Sequence, residues 1–521
     1  MTEGKRPLLS SPNVTNGYHI DNRTLSRDDE ADLNMEFAEW VCELSQRTNR
    51  SLAGARVYVP DGAQCDTVCA RGGTDLLLRL RAWGLVPTGE REGADFVWGE
   101  LPEEADLSGA LLMDRAAAHM PVSTGLAREL GETGLLDGVR IGICLVLEPK
   151  TSVLVQLLHD VGAEVGVFAP AAEVDQRVAD ELRRRGFTVE ADASWDATAD
   201  HDGALRLLDE LRPDLIIDDG ASFARLAVLE RPELAAALGG VAEETTSGVR
   251  AFVAMDEADA LPWPVVAVND SRLKTRFDNR HGTGETCVTT MQRLLGPTCF
   301  DGARVTVVGY GPVGEGFALR ARALGAEVTV CDADPTRALE AAFAGFAARD
   351  LTDALADADI VVSATGIRHT LTVDHLRCMR KNATLAVIGG IANEIALDEL
   401  PPLAPTRQDG IDLLTVPGGP TLCLLAGGDG VNYTAGGGNP IEVMDLSFAV
   451  QLSAVEHLLR HRGQLPHHVL RLGAEVDDCI ARRALGVRGY ATSTVSGDTS
   501  PTVSDWKLTR FADEAQGGRH V

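Results

Sequence analysis

Three polar segments of the sequence combine acids, hydroxyls and a lysine that could move protons. They cover residues 218–220, 243–248 and 269–279, and each follows a short apolar run of the kind that forms a buried parallel strand. Ligands of open α/β sheets bind at the carboxyl ends of the strands, so we expect these segments to meet at one site. Acids in a cluster raise one another's pKa, which permits proton transfer near neutral pH. For a single segment, solvated caps and turns are the alternative.

A glycine-rich turn at residues 309–314 is a second candidate site. Its sequence, GYGPVG, follows the apolar run 305–308 and opens a helical pattern. Gly309 permits a tight turn, Gly311 lets a pyrophosphate approach the backbone, and Gly314 lets the helix pack closely on the strand. The N-terminus of a helix also offers free N–H groups and the positive end of a dipole to phosphates. The pattern predicts a dinucleotide site.

Asp332 supports this prediction from the end of the next apolar run, about 20 residues beyond the first glycine, where an acid grips the ribose hydroxyls. An acid at this position favours NAD over NADP. The motif alone is a weak signal, and a glycine-rich turn without a ligand is the alternative. The strand, the helix and the acid together favour NAD.

Alternating strands and helices must position both sites. Two series of short apolar runs, one from about Asp137 and the other from about Ala303, are separated by amphipathic stretches. This alternation predicts an α/β fold with two doubly wound, parallel-sheet domains of the Rossmann type. The predicted strands are 139–147, 164–168, 188–190, 214–218, 264–268, 305–308, 328–330, 360–362 and 385–388. A helix at about 445–461 is predicted to close the ordered part.

The two ends of the chain differ from this pattern. Residues 1 to about 40 are polar and interrupted by Pro, Asn and Gly, which predicts a flexible lead. Residues 55–101 show a small strand–helix–strand pattern with no assignable function. After Gly489 the chain is rich in Ser, Thr and Asp, and we expect a mobile tail.

Composition narrows the classes of function. The chain has 521 residues, of which 45% are hydrophobic and 24% charged, a balance typical of a globular protein with several domains. The formal charge of −29 disfavours a general nucleic-acid binder. No apolar run reaches the roughly 18 residues of a membrane span, and the polar N-terminus lacks the apolar core of a secretion signal. We therefore expect a cytoplasmic protein with neither nucleic acid nor a membrane as a partner.

The ten cysteines are scattered along the chain. Only Cys65 and Cys69 lie close together, with no second pair or His cluster beside them. A zinc site built on such a pair needs further ligands, so no metal is expected. Free thiols in a reducing compartment are the better interpretation of these residues.

The polar segments and the glycine motif together resemble the adenosylhomocysteinase (S-adenosylhomocysteine hydrolase) family. The similarity covers roughly residues 120–489 and rests on four motifs in this order: Asp-Asp-Gly, Glu-Glu-Thr-Thr-Ser-Gly, Asn-Asp-Ser…Lys…Phe-Asp-Asn and Gly-Tyr-Gly-Pro-Val-Gly. The resemblance implies NAD held between a substrate domain and a Rossmann domain that a hinge joins. It also implies an enzyme that oxidises the 3′-hydroxyl of a nucleoside, removes the 4′ proton, expels the 5′ substituent, adds water and reduces the ketone again.

With this resemblance we divide the chain into four parts. They are an N-terminal extension at 1–110, a substrate domain at 111–280 and 441–489, an NAD-binding Rossmann domain at 281–440, and a C-terminal tail at 490–521. The extension, an extra and partly flexible α/β segment, has no counterpart in the short enzymes of the family. The family habit implies a homo-oligomer, either a dimer or a tetramer, that acts on a small nucleoside.

The resemblance also implies the roles of individual residues. Lys274 and Asp278 would hold and deprotonate the ribose hydroxyls, while Asp219 and Glu244 would be the acids beside the reacting sugar. The residues that would line the NAD are Thr245, Thr246, Ser247, Asn279, Gly309, Gly311, Val313, Gly314, Asp332, Thr365, Gly366, Ile388, Gly389 and Asn432.

The substrate pocket departs from the family pattern. Where the family has His, Thr and an adenine-reading Glu, this sequence has Val146, Glu148 and Lys150. A second active-site His of the family is absent from residues 389–392, and the family's C-terminal Lys-and-Tyr segment, which reaches the NAD of a neighbouring subunit, is not recognisable. The candidate pocket residues are Glu148, Lys150, Thr151, Thr283 and Asn439, the last two in place of a family Cys and a family His.

Retained redox residues beside a rewritten pocket predict a changed substrate. The simplest hypothesis is an NAD-dependent nucleoside lyase, a dehydratase that removes water across C4′ and C5′ of a purine nucleoside in natural-product biosynthesis. Hydroxide is a poor leaving group, so Glu148 or Lys150 would protonate it, although an acid before Pro149 could instead be a helix-start residue. An S-adenosylhomocysteine hydrolase and a non-catalytic, NAD-bound interaction protein are the alternatives.

Overall fold

The computed structural model describes residues 27–60, 69–103, 107–389 and 393–493. These residues form three sheets with helices between the strands. The predicted α/β class, with two doubly wound parallel sheets and an additional N-terminal α/β unit, is confirmed. None of the helices among the described residues combines the length and the apolar character needed to cross a membrane.

The N-terminal unit is built on a small parallel sheet. Its strands lie in the spatial order Val86–Thr88, Arg56–Tyr58, Phe96–Val97. Two helices, Arg27–Thr48 and Cys69–Trp83, pack against each other beside this sheet. The strand–helix–strand pattern predicted for 55–101 is thus present.

The helix Arg27–Thr48 corrects one prediction. Residues 27–40 are not a flexible lead, because Leu33, Phe37 and Trp40 form an apolar helical face that is buried. Their side chains belong to the same core as Met291 and Phe317 of the Rossmann-type part of the chain. The extension is therefore packed onto the body of the protein. Residues 1–26 of the predicted lead lie outside the described part.

Seven parallel strands form the first large sheet. In spatial order they are Val469–Leu470, Val265–Ala267, Val241–Glu243, Leu215–Asp218, Arg140–Cys144, Glu164–Phe168 and Thr188–Glu190. The helices that accompany this sheet are Gly109–Ala118, Pro121–Gly131, Pro149–Asp160, Gln176–Arg184, Ala197–Leu211, Ser222–Glu230, Pro232–Ala237, Thr246–Glu257, Ile441–Arg460 and Ala474–Val487. The helix Ile441–Arg460, predicted at 445–461, supplies buried Phe448 and Val455 to the core of this sheet. The first large sheet is thus completed by a part of the chain that follows the strands of the second large sheet.

Eight strands form the second large sheet. In spatial order they are Ala347–Ala348, Glu327–Cys331, Arg304–Val308, Ile360–Ser363, Thr384–Val387, Thr421–Leu425, Ile411–Thr415 and Ala404–Pro405. The first six are parallel and the last two antiparallel. The accompanying helices are Gly284–Leu295, Pro312–Ala323, Pro335–Phe343, Leu351–Leu355, Val373–Arg377 and Val431–Thr434. The antiparallel edge lies in a stretch punctuated by Pro and Gly and was not predicted.

The chain passes between the two large sheets twice. The first crossing is a π-helix, Lys274–Thr283, which runs directly into the helix Gly284–Leu295. The second is the loop 435–440, ahead of the helix Ile441–Arg460. A π-helix is rare and often marks a functional site. The catalytic candidates at the end of the third polar segment lie on this one.

Candidate active site

The π-helix places a buried lysine beside three polar side chains. The Nζ atom of Lys274 lies 2.8 Å from Oδ2 of Asp278, donates a hydrogen bond of 2.7 Å to Oδ1 of Asn279, and lies 4.0 Å from Oε1 of Glu244. Burial would lower the pKa of Lys274, but Asp278, Glu244 and Asp219 together raise it above its usual value. The lysine is therefore a cation held by carboxylates, and the predicted residues Lys274, Asp278, Glu244 and Asn279 do meet at one place.

Glu244 is fixed by the helix Ile441–Arg460. Ser447 donates a hydrogen bond to Oε1 of Glu244, and Nε2 of Gln451 donates one of 2.5 Å to Oε2. Burial raises the pKa of Glu244 to about 7, against the opposing charge of Lys274. Burial also raises the pKa of Asp219, again with Lys274 opposing. Glu244 can therefore exchange a proton near neutral pH. Ser447 and Gln451 were not predicted, since no motif connects them to Glu244.

Glu243, the neighbour of Glu244, organises two of the strand-end loops. Its carboxylate accepts hydrogen bonds from the backbone N–H groups of Gly220 at 3.0 Å, Ala221 at 3.0 Å and Thr245 at 2.8 Å. A Cβ atom on Gly248 would lie 2.1 Å from this carboxyl group, so the glycine is needed there. Glu243 holds the first two polar segments together, a role that its sequence position does not reveal.

Asn439 connects the two crossings between the sheets. Its Nδ2 donates to Oδ1 of Asp278 at 2.6 Å and to Oγ1 of Thr283 at 3.0 Å. Its Oδ1 accepts from Nδ2 of Asn432 at 3.0 Å and from Oγ1 of Thr286 at 3.2 Å. The amide is thus fully hydrogen-bonded, and Asn439 contacts both the predicted catalytic carboxylate of Asp278 and Thr283, the other predicted pocket residue beside it.

The glycine-rich turn has the shape that a dinucleotide requires. Gly309 has a φ of 95°, and a Cβ atom on Gly314 would lie 1.9 Å from the carbonyl oxygen of Gly309. A Cβ on Gly311 would meet only the guanidinium of Arg337, at 3.5 Å, so the backbone there is open to an incoming phosphate. Oδ2 of Asp332 accepts a hydrogen bond of 2.6 Å from the N–H of Tyr310 and so lies beside the turn.

The surroundings of this turn also fit NAD. A cavity of about 400 Å³ is lined by Gly309, Asp332 and Thr365. The amide oxygen of Asn432 is buried and has no hydrogen-bond partner within the described residues, as expected of a group that meets a cofactor donor. These residues would hold the adenosine half, the pyrophosphate and the nicotinamide half of NAD.

Other predicted cofactor residues form a second hydrogen-bonded group. Asn269 accepts at Oδ1 from Oγ1 of Thr246 at 3.0 Å and from Nδ2 of Asn279 at 3.3 Å. The hydroxyls of Thr245 and Ser247 lie 3.2 Å apart. Asn269 thus joins two of the predicted segments.

The remaining predicted cofactor residues sit at later strand ends. Ile388 is fully buried in the apolar core, so that only its backbone can face a ligand. A Cβ atom on Gly389 would lie 2.5 Å from the side chain of Thr283 and 3.5 Å from that of Val313, which brings the three positions together. Residues 390–392, part of the segment where the family has its second His, lie outside the described residues.

Glu394 is a buried acid that sequence reasoning did not identify. It accepts hydrogen bonds from the N–H groups of Thr365 at 3.1 Å and Gly366 at 3.0 Å, and from the hydroxyl of Ser363. It therefore fixes the loop that carries two predicted cofactor residues. Its only sequence signal is an acid soon after a strand, which is too common to be informative.

The rewritten pocket contains a buried ion pair. Glu148 and Lys150 contact each other, and the side chain of Lys150 is fully buried. The three N–H groups of Lys150 are all used, by Oε2 of Glu148, by Oδ1 of Asn49 at 2.8 Å and by the carbonyl of Gly437 at 2.9 Å. The hydroxyl of Thr151 donates to the carbonyl of Val146 at 2.6 Å. The hydrogen-bond donors of the Lys150 and Thr151 side chains are thus all used within the protein.

Glu148, in contrast, faces open space. It lines a cavity of about 680 Å³, and it is the N-cap residue of the helix Pro149–Asp160, to which its side chain makes no capping hydrogen bond. Burial raises the pKa of Glu148 to about 7, with Lys150 opposing and Asp278 and Asp175 reinforcing. Of the two residues that the sequence left open, Glu148 lines the cavity, while Lys150 uses its N–H groups within the protein.

Metal and disulfide chemistry find no support in the described residues. No group of three or more His, Cys, Asp or Glu side chains there could hold a metal ion. The free cysteines of this part are Cys42, Cys144, Cys287, Cys299, Cys331, Cys378, Cys423 and Cys479. Cys65, one member of the close pair, lies outside the described part.

Comparisons with known proteins bear on this site. The family model described as "S-adenosyl-L-homocysteine hydrolase, NAD binding domain" matches residues 279–438. The adenosylhomocysteinase of Thermotoga maritima is 36% identical over 405 residues, which cover 77% of this chain and 100% of that protein. That of Thermococcus kodakarensis is 37% identical over 407 residues, covering 77% and 96%.

A relative with a different name is almost as similar. The S-inosyl-L-homocysteine hydrolase of Methanopyrus kandleri is 34% identical over 405 residues, covering 77% of this chain and 95% of that protein. The matched family model and the glycine-rich turn with Asp332 agree on NAD as the cofactor. With these identities over nearly the whole length of its relatives, the chain belongs to the adenosylhomocysteinase family of enzymes.

Proposed function

We propose that this protein is an NAD-dependent nucleoside lyase that expels the 5′ substituent, in the simplest case as water. The observation that carries the proposal is the coexistence of the Lys274–Asp278–Glu244 cluster with a separate proton donor, Glu148, in the rewritten pocket. Bound NAD would supply reversible hydride transfer at the 3′ carbon of the sugar. The chain's own residues must then handle three protons.

The first proton belongs to the 3′-hydroxyl. Lys274 uses two of its three N–H groups on Asp278 and Asn279, and the third remains for a substrate oxygen. Asp278, held at Oδ1 by Asn439, accepts the hydroxyl proton as the carbon is oxidised. The lysine cation stabilises negative charge that develops on the oxygen.

The second proton leaves C4′, which the neighbouring ketone makes acidic. We assign its removal to Asp219, because Ser447 and Gln451 already occupy both oxygens of Glu244. Glu244 then serves to hold a sugar hydroxyl. Burial raises the pKa of Asp219, which makes its carboxylate a stronger base than an exposed one.

The third proton goes to the leaving group. As the C4′–H electrons form the C4′=C5′ double bond, the C5′–O bond breaks and Glu148 protonates the departing oxygen to give water. Because the hydride would be returned to C3′, the whole sequence would be redox-neutral. Lys150 keeps Glu148 in place but has no N–H left to donate.

Mass spectrometry of the products tests the proposal. The NAD-loaded protein is incubated with adenosine, S-adenosylhomocysteine and sugar-modified purine nucleosides. The expected product is lighter than its substrate by one water, and Lys274→Ala should abolish it. Absence of a dehydrated product from every nucleoside would contradict the dehydratase.

Hydrolysis of S-adenosylhomocysteine is the second candidate. The relatives named adenosylhomocysteinase, at 36% and 37% identity, favour it. The same cluster would carry out the first half, and water would then add to the alkene. Release of homocysteine in the same incubation would decide for this reaction. Bound NAD without turnover of any nucleoside would instead favour a non-catalytic interaction protein.

A further inference from the structure

Asn49, in the N-terminal extension, reaches into the rewritten pocket. It follows the helix Arg27–Thr48 and has a φ of 50°, a left-handed conformation that Asn adopts readily where a helix ends. Its Oδ1 accepts the 2.8 Å hydrogen bond from Lys150. Its Nδ2 donates to the carbonyls of Gly437 at 3.2 Å and Gly438 at 3.3 Å. One amide thus holds both the lysine and the loop that leads to Asn439.

The chain after Asn49 is anchored on two helices of the body. The N–H of Ser51 donates to Glu442 at 2.8 Å, and the N–H groups of Leu52 and Ala53 donate to Glu285 at 2.9 and 3.1 Å. Glu285 belongs to the helix after the first crossing and Glu442 to the helix after the second. Asn49 is therefore held in position independently of its contact with Lys150.

A buried lysine depends on every one of its acceptors. Lys150 has three N–H groups and three acceptors. Asn49 supplies the acceptor that comes from the N-terminal extension. A buried donor that loses its partner is costly, so loss of this acceptor should move Lys150 or discharge it. Either response alters the contact between Lys150 and Glu148.

We propose that Asn49 is a positioning residue of the active site, which through Lys150 orients Glu148 toward the leaving group. The N-terminal extension is then a wall of the substrate pocket and not an appended module. This inference rests on the proposed function for the role of Glu148. The contact itself does not depend on which substituent leaves.

The charged groups around the pair determine the direction of the effect. Burial lowers the pKa of Lys150, while Glu148, Asp175 and Asp278 oppose this. With Asn49 gone, the cation loses one stabilising partner and its pKa falls further. Glu148 then loses part of the attraction of Lys150, and its pKa rises.

Asn49→Gly removes the side chain and leaves the backbone unstrained, because glycine tolerates the φ of 50°. Ser45→Ala is the matched control. It removes another contact between the extension and the body, the 3.0 Å hydrogen bond between the hydroxyls of Ser45 and Thr289, without touching the pocket. Both variants should fold, and comparison of their melting temperatures checks this.

Infrared difference titration of the NAD-loaded protein gives the first readout and requires no turnover. The carboxyl band of Glu148 is isolated by subtracting the spectrum of a matched Glu148→Gln protein in each background. Asn49→Gly should move the titration midpoint of Glu148 upward by about one pH unit, and Ser45→Ala should not move it. An unchanged midpoint in Asn49→Gly would overturn the inference, whether or not the protein turns over a nucleoside.

Turnover gives the second readout where a nucleoside from the panel reacts. Asn49→Gly should lower kcat by about 10- to 100-fold with little change in KM, since proton donation to the leaving group is impaired. Ser45→Ala should leave both constants unchanged. Equal effects of the two variants would assign Asn49 a merely structural role. Failure of the wild-type protein to react would contradict the proposed function and leave the infrared result to decide on Asn49.

Discussion

Asn439 donates a hydrogen bond of 2.6 Å to Asp278 across 161 positions of sequence, and so joins the two chain crossings at the carboxylate for which we propose a catalytic role. The amide is itself fixed by Asn432 and Thr286. The orientation of Asp278 therefore depends on both crossings at once. Where the family pattern has a His, this chain has an amide that cannot exchange a proton at physiological pH.

Substitution of Asn439 tests this relationship. Asn439→Ala removes the donor to Asp278 and should lower turnover by about 10- to 100-fold while NAD occupancy stays unchanged. Asn439→Asp keeps the shape but places a second carboxylate against Asp278, so we expect a larger loss. Steady-state kinetics and quantitation of bound NAD check both. Equal and full activity in the two variants would show that the contact is dispensable.

Two glycines of the same motif should respond differently to alanine. Gly314→Ala places a Cβ atom 1.9 Å from the carbonyl of Gly309, so the turn must shift and the protein should lose stability. Gly311→Ala meets only the flexible end of Arg337 at 3.5 Å, so it should fold normally. Because that Cβ occupies the approach of the pyrophosphate, its affinity for NAD should fall by about tenfold or more.

Thermal unfolding and NAD titration separate the two glycine variants. A normal melting temperature for Gly314→Ala, or normal NAD affinity for Gly311→Ala, would contradict the assignment of the turn.

The pH dependence of turnover should report Glu148. Its pKa is raised to about 7, and the form that donates a proton is the protonated one. Turnover should therefore be lost as the pH rises above about 7, by about tenfold per pH unit. Glu148→Gln cannot donate a proton, so its residual activity should lack this alkaline limb. A wild-type profile that stays flat into the alkaline range would exclude Glu148 as the acid.

Asp445 should be a determinant of stability. It accepts hydrogen bonds from the N–H groups of Val122 at 2.9 Å and Ser123 at 2.7 Å, and from the hydroxyl of Ser123 at 2.6 Å. Asp445→Ala leaves these donors buried without a partner and should cost about 2–4 kcal/mol. Ser123→Ala removes one donor and should cost about 1 kcal/mol. Urea unfolding of both variants measures the difference, and equal costs would contradict this account.

Much of the fold could be predicted because apolar runs report buried parallel strands directly. The strands Glu164–Phe168 and Thr188–Glu190 have the predicted bounds. The helix Arg27–Thr48 was not predicted, since its polar residues outweigh an apolar face of only a few side chains. The antiparallel edge strand Ala404–Pro405 lacks any apolar run.

The residues of the candidate site that belong to motifs could be predicted from the sequence. Those that reach the site only through tertiary contacts could not. Lys274, Asp278 and Glu244 lie in recognisable segments, and they come together. The contact of Asn49 with Lys150 joins residues 101 positions apart, and nothing in either local sequence indicates it. For the same reason the sequence could not choose between Glu148 and Lys150 as the acid. The three acceptors around the lysine amine support our proposal that Glu148 is the acid.

The central claim is that bound NAD would oxidise a nucleoside reversibly before elimination, with the buried lysine–carboxylate cluster holding and deprotonating the hydroxyl. Stopped-flow absorbance in the near-ultraviolet band of reduced nicotinamide tests it most directly. On mixing the NAD-loaded protein with a reactive nucleoside, the band should rise and then fall, and it should not rise in Lys274→Ala. NAD-loaded wild-type protein that shows no such rise with adenosine, S-adenosylhomocysteine or any sugar-modified purine nucleoside would contradict the account.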